Sequence, residues 1–334
     1  MRFRTKHFLT LQELRRDELE DLVEGVIKAK EKNHFSGLEH KTILGFFPDH
    51  CIYSRLSLEA AVKKLGGSIV NINFSSEKWN LLHESGVMCL HPNMAHIRDA
   101  AAFLDTCGDA LAIRHLPYTG SWRRDRQDSL LRYITRYSSI PIINLESNLY
   151  NPLQGLADLV SVKELLKNFN GWKAGIVWTY HPYAHGVGSA NEFALAASKL
   201  GMDLTVSAPK GFELDSGIVK LIDKNTAHNR SSFEVSNKMD DALSGAHIVY
   251  AMNWRSCKHY ADRAAEEVYQ KQFDNWVVKS SDMEKTDGAF LLHPYPIRRN
   301  VCVMEKVLNS KSSMINRQIE NKAYAQKYIL SERL

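Results

Sequence analysis

The chain has 334 residues, of which 44% are hydrophobic and 24% charged, with a formal net charge of +5. That size and balance suit about two soluble domains, each with its own core, and the basic excess is too diffuse for a nucleic-acid surface while still favouring a small anionic ligand. Five cysteines (Cys51, Cys89, Cys107, Cys257, Cys302) form an odd set with no C-x-x-C pair, which disfavours a disulfide framework and structural zinc. With no apolar run near the ~18 residues of a membrane span, they predict a cytoplasmic protein.

Thr10 to Glu13 has the form of a capping box, and Leu11, Leu14, Leu19, Leu22, Val23 and Ile27 follow at helical spacing to about Lys32. The stretch Lys41 to Gly67 organises what comes next. It reads as a buried strand (Thr42 to Phe47), a turn (Pro48 to Ser54) and a helix (Arg55 to Leu65) closed by Gly66 and Gly67. Such a unit turns backbone N–H groups toward an anion. Further strands are predicted at Ser68 to Ile72, Ala110 to Arg114 and Pro141 to Glu146, with helices from about Ala95 to Thr106 and from Ser129 to Ser138. Asn151-Pro152 opens a helix to about Lys167, with Asn151 suited to the N-cap and Pro152 to the first helical position.

The pattern then restarts: strand Lys173 to Trp178, helix Ala190 to Leu200, strand Asp203 to Ser207, a helix near Ile218 to Asp223, strands Ile248 to Ala251 and Ala289 to Leu292, and a terminal helix from Ile315 to about Ser331. Short apolar strands separated by helices indicate α/β architecture: two doubly wound parallel-sheet domains joined by interdomain helices, the C-terminal helix packing back on the first domain. The expected division is 1–150 with the C-terminal helix of about 315–334, and 151–314. Ligands of open α/β sheets bind beyond the carboxyl ends of the strands, so the residues there are the first site candidates. Three local patterns carry little weight. Gly186-Val187-Gly188 lacks the third glycine of a dinucleotide fingerprint. His181 and His185 lie in a turn without a zincin glutamate. His50 and Cys51, as sequence neighbours, rarely have the geometry of an activated thiol pair.

Phe46-Phe47, Ser54-Arg55-Leu56-Ser57, Glu59-Ala60-Ala61 and Leu65-Gly66-Gly67 together resemble the carbamoyl-phosphate-binding segment of the aspartate/ornithine carbamoyltransferase family. That family writes Ser-Thr-Arg-Thr-Arg where this chain has Cys51-Ile52-Tyr53-Ser54-Arg55. Trp178-Thr179-Tyr180-His181-Pro182 and Leu200 to Thr205 are similar to words of its N-acylornithine branch. The resemblance runs from Lys6 to Lys327. It implies transfer of a carbamoyl or related acyl group from a phosphorylated donor to the amine of an ornithine-like amino acid, with no cofactor or metal.

Residue by residue, the resemblance places the donor at Cys51, Ile52, Tyr53, Ser54, Arg55, Trp79 and Arg298. It places the transferred group at Arg114, Asn151 and Gln154, and the amino acid at Glu146, His181, Met252, Tyr295 and Lys327. Trp79 would act in a neighbouring subunit's site, which implies a homotrimer with shared sites and small-molecule partners alone. Asn151 replaces the family's histidine, Met252 a lysine and Pro294 a cysteine. These exchanges leave three alternatives open: a different donor, a different acceptor, or a non-catalytic binding or regulatory paralogue.

Overall fold

Strands such as Ile142-Ile143-Asn144-Leu145 and Ile176-Val177-Trp178 are apolar on both faces, the composition required when helices cover a parallel sheet on both sides. The computed structural model describes residues 5–47, 51–73 and 79–334. Pro48 to His50, and with them the histidine considered beside Cys51, lie outside the described residues. The strands are β1 (Thr42–Phe46), β2 (Ser68–Ile72), β3 (Asn80–Leu82), β4 (Met94–His96), β5 (Ala110–His115), β6 (Ile142–Ser147), β7 (Lys173–Trp178), β8 (Asp203–Ser207), β9 (Phe233–Ser236), β10 (Ile248–Met252) and β11 (Phe290–Leu292). The principal helices are α1 (Arg16–Lys32), α2 (Ile52–Lys64), α3 (Ile97–Cys107), α4 (Ser129–Tyr137), α5 (Pro152–Leu166), α6 (Gly188–Lys199), α7 (Ser216–Asn229), α8 (Arg263–Gln270) and α9 (Ile315–Arg333).

Two parallel sheets carry the fold, with strand orders β2-β1-β5-β6 and β11-β10-β7-β8-β9; β3 and β4 form a separate parallel pair. Phe8 extends the first sheet, donating its N–H to Ile142 O at 2.8 Å and accepting from Asn144 N–H at 2.9 Å. The strand order reverses between β1 and β5 in one sheet and between β7 and β10 in the other. Each reversal opens a crevice at the strands' carboxyl ends. Among the described residues no helix is long and apolar enough to cross a membrane.

Two helix starts differ from expectation by three residues or more. Thr10 caps only a 3-10 turn, Leu11–Glu13, and α1 restarts at Arg16. The turn's polar groups are taken by the second half of the chain: Glu192 accepts from Leu11 N–H at 2.6 Å and Thr10 Oγ1 at 2.8 Å, and Lys199 Nζ donates to the carbonyls of Gln12 and Leu14, each at 2.6 Å. Satisfied there, the backbone need not continue as helix. The second difference is α2, which begins at Ile52 rather than Arg55, with Cys51 as N-cap. Ile52, Tyr53 and Ser54 therefore form a first helical turn, whose N–H groups have no intrahelical acceptor. Pattern reading missed β3, β4, β9 and α8 altogether and gave α7 fewer than half its residues.

α5 is buried from Pro152 through Val162 on all its faces and packs against α9, α6 and α1. A helix sealed all round needs partners for every polar group it carries. Asp158, fully buried, accepts from Gln154 Nε2 on its own helix and Gln318 Nε2 of α9, both at 2.8 Å, and from Tyr250 OH of β10 at 2.9 Å. One carboxylate thereby ties the central helix to the C-terminal helix and to the second sheet. The α9 helix also packs on α1 and α2, so the end of the chain folds back onto its beginning. A single apolar cluster runs from Ile43 and Ala112 of the first sheet to Ile176 and Tyr250 of the second. Asp158→Ala would strand three buried donors and should lower unfolding free energy by ~3–5 kcal/mol in urea titration.

Candidate active site

The loops after β1, β6, β7, β10 and β11 and the carboxyl end of β5 enclose a cleft of about 320 Å³. Both strand-order reversals thus face one volume. Cys51, Ile52, Tyr53 and Ser54 reach it from the start of α2, Arg114 and Glu146 from the first sheet, and Met252 from the end of β10. Asn151, Tyr295 and Arg298 also line it. Ten of the fifteen residues singled out from sequence are therefore brought together.

A register shift between β5 and β6 places Arg114 opposite Glu146 instead of Leu145. Bulges of this kind re-aim side chains beside functional sites. The guanidinium meets Glu146 Oε2 through both Nε and Nη2 at 2.9 Å, with each side chain 16% exposed. Arg298 lies across the cleft in sequence and topology. Its N–H donates to His293 Nε2 at 3.0 Å, while its Nε is buried with no hydrogen-bond partner among the described residues. An unsatisfied buried donor in a cleft wall calls for an acceptor from a ligand.

The loop histidines are neutral. Burial, then the nearness of the His181 ring and of the Arg298 charge, hold His185 down to about 3, and burial likewise takes His293 to about 4 and lowers His181. Cys302 also lines the cleft, but burial pushes its thiol up to about 11, and its Sγ donates to Tyr180 O at 3.2 Å. Such a thiol is inert as a nucleophile. The charged lining is thus Arg114, Arg298 and Lys322 against Glu146.

Five predicted residues sit elsewhere. Arg55, on the outer side of α2, is half-exposed with Glu59 at 3.8 Å; the earlier helix start rotates it away from the cleft. Gln154 spends its amide on Asp158 and lines a neighbouring crevice. His181 stands behind His185, at 3.1 Å between ring nitrogens. Trp79 packs edge-on to Phe46 at 6.1 Å and borders a different cavity of about 620 Å³. Lys327 lies over Phe35 and Tyr324, 4.2 Å from each ring centroid, not in the cleft.

Lys322 is the residue that sequence reading overlooked. It lines the cleft and makes no hydrogen bond among the described residues; burial lowers its pKa, opposed by Glu146 and Asp158. Helical spacing could have found it, since Ile315, Gln318, Ala325 and Ile329 mark the buried stripe of α9 and Lys322 lies on it. Gly186 borders the cleft and Gly188 opens α6, where a Cβ would meet Ser147 O at 3.0 Å and Tyr150 C at 3.1 Å. The glycine at 188 serves that close approach.

Asn151 is fixed at the cleft floor by three contacts. Its Oδ1 accepts from Gln154 N–H at 3.3 Å, its Nδ2 donates to Ser189 Oγ at 3.0 Å, and its N–H donates to Glu192 Oε2 at 3.2 Å. Glu192 is fully buried, and burial raises its carboxyl from 4.5 to about 7 despite three donors and the nearby Lys199.

Comparison with known proteins places these features in context. The family model described as "Aspartate/ornithine carbamoyltransferase, carbamoyl-P binding domain" matches residues 6–164, and the "Asp/Orn binding domain" model of the same family matches 188–332. Among similar curated proteins, the N-acetylornithine carbamoyltransferase of Xylella fastidiosa strain 9a5c is 29% identical over 98% of each chain. The N-succinylornithine carbamoyltransferase of Bacteroides thetaiotaomicron is 25% identical over 94% of this chain and 95% of its own. A crystal structure of acetylornithine transcarbamylase complexed with acetylcitrulline superposes with a TM-score of 0.92 at 29% identity, covering 98% of both chains. A mutant N-acetyl-L-ornithine transcarbamylase complexed with carbamyl phosphate and N-succinyl-L-norvaline gives 0.93 at 28% identity, covering 99% of this chain and 100% of that one.

Glu192 provides a test of how the floor is held. Its folded pKa lies above its unfolded value, so its contribution is fully present below about pH 4.5 and lost as pH rises through about 7. Relative to Glu192→Gln, the wild type should lose roughly 3 kcal/mol of stability between pH 4 and pH 8, measured by denaturant titration at each pH.

Proposed function

Because the chain belongs to the aspartate/ornithine carbamoyltransferase family, we propose that it transfers a carbamoyl group from carbamoyl phosphate to the side-chain amine of an N-acylated, ornithine-like amino acid. The observation that carries this reading is the convergence of Ser54, Arg114, Glu146 and Arg298 on one cleft fed by both strand-order reversals. Residues 1–150 with the C-terminal helix would form the donor half, and 151–314 the acceptor half.

In this reading the first turn of α2, with Ser54, receives the phosphate, where helix N–H groups and dipole favour an anion. Arg114, held by Glu146, presents its guanidinium to the carbamoyl oxygen, where negative charge builds as the amine nitrogen bonds to the carbon. The carbon–oxygen bond to phosphate then breaks, phosphate leaves with the electron pair, and it can take the proton that the amine loses. Arg298 and Lys322 supply positive charge for the acceptor's carboxylate in place of any group at Met252. Catalysis here is positioning and electrostatics rather than covalent chemistry.

A second reading, ligand binding without transfer, is favoured by one specific feature. The Asn151 amide, whose family counterpart is a histidine, already commits one of its two donors to Ser189, leaving the oxyanion with fewer partners. A homotrimer with shared sites is part of the first reading. It is supported by Met88 and Leu90, 73% and 74% exposed between β3 and β4, an apolar loop suited to a neighbouring copy. All five cysteines are free thiols, in keeping with a cytoplasmic setting.

Incubated with carbamoyl phosphate and N-acetyl-L-ornithine, the protein should form N-acetylcitrulline and release phosphate, and Arg114→Ala should cut kcat/KM by ~10²–10³. A thermal shift with either ligand but no product in a coupled phosphate assay would select the binding reading. Light scattering should give three times the 38.0 kDa chain, and Met88→Glu with Leu90→Glu should reduce it to one.

A further inference from the structure

Beside the cleft lies a second cavity of about 320 Å³, between α2 and α9. The two cavities share Tyr53, His293, Tyr295 and Lys322 as a common wall. Leu56 and Ala60 of α2 face Ile319 and Ala323 of α9 across it. Tyr53 and Tyr295 meet edge to face at its threshold, with ring centroids 5.5 Å apart.

Several polar groups at its edge are engaged. Ser57 Oγ donates to Gln326 Oε1 at 2.6 Å, Gln154 and Gln318 both donate to Asp158, and His293 Nδ1 lies 2.7 Å from Ala251 O. Lys322 differs, with no hydrogen bond among the described residues. The crevice therefore offers largely apolar walls, with Lys322 and the hydroxyls of Tyr53 and Tyr295 where it meets the cleft. Its rim is apolar too: Ile52 and Leu56 are each 62% exposed, Tyr53 54%, and Ile319 40%. Contiguous exposed apolar surface of this kind marks a binding site.

We propose that the acceptor carries an apolar N-acyl chain longer than acetyl, seated in the crevice between α2 and α9 with its amide carbonyl at Lys322. The inference rests on the reading of the cleft as a carbamoyltransferase site and specifies its substrate class. The occupant follows from adjacency: cleft and crevice share Tyr53, His293, Tyr295 and Lys322, so a chain that parts the Tyr53–Tyr295 contact passes from one into the other. A free amino acid would leave the crevice empty, and a charged acyl tail would lose its hydration to the apolar faces of Leu56, Ala60, Ile319 and Ala323.

The test is calorimetric binding of N-acetyl-, N-butanoyl- and N-hexanoyl-L-ornithine in the presence of inorganic phosphate. Affinity should rise by ~2–4-fold for each added methylene, the worth of burying it. Ala60→Trp, which fills the crevice from an exposed position, should flatten the series while leaving N-acetyl-L-ornithine binding unchanged. Ala323→Trp, from the opposite wall, serves the same purpose if the first variant misfolds. A flat series in the wild type with N-acetyl-L-ornithine still bound overturns the crevice proposal and leaves the transferase reading standing. A gain that persists in both Trp variants also overturns it. Absence of binding by every member removes both readings.

Discussion

The buried carboxylate of Asp158 is the constraint on which the cleft depends. Burial raises its pKa to about 6, opposed by hydrogen bonds from Gln318, Gln154 and Tyr250. An ion in such a place is tolerated only while every donor is in position. Those donors come from α9, α5 and β10, so the arrangement of three elements that surround the cleft is specified by one group. The cost appears at Gln154. Its amide nitrogen is committed to Asp158, so a residue expected to touch ligand instead helps to hold the scaffold.

Charge in the cleft follows from the same economy of burial. Neutral histidines at 181, 185 and 293 avoid crowding three more cations around Arg298. What remains is a fixed guanidinium at Arg114, a buried unsatisfied donor at Arg298 and an ammonium at Lys322, with Glu146 orienting the first. In a partly desolvated site, preorganised groups act on developing charge without solvent reorganisation. In the proposed reading, the exchange of cationic and hydroxyl side chains for Cys51, Ile52 and Tyr53 would shift the phosphate's support from side chains to the backbone at the start of α2. That the helix begins three residues earlier than the pattern suggests is what makes the backbone available there.

Much of the architecture was legible because strand cores are encoded by local composition. β2, β7 and β8 fall on the residues expected. The differences have tertiary causes. The start of α1 is displaced because Glu192 and Lys199, far away in sequence, capture the polar groups of the Thr10 turn. Arg55 and Lys327 carry suitable chemistry, yet helical phase turns both away from the cleft. Motif matching weighs residue identity and ignores phase. Lys322, five residues before the lysine chosen, lies on the buried stripe of its helix and reaches the cleft. The β5–β6 register shift that pairs Arg114 with Glu146 left no mark in the sequence, since a bulge depends on the partner strand.

The position of α9 in the chain gives these contacts a further meaning. Gln318, Ile319 and Lys322 occupy one turn of that helix and serve the Asp158 network, the crevice and the cleft respectively. Their spacing of one and four residues makes the three functions rigidly related. Because α9 packs on α1, α2 and α5 and contributes Lys322 to both cavities, neither cavity is complete without it. A ligand bridging the two cavities would contact α2 and α9 at once, and its binding energy would stabilise the docked helix. Site formation therefore depends on contacts between parts of the sequence that lie far apart, α9 against α1, α2 and α5.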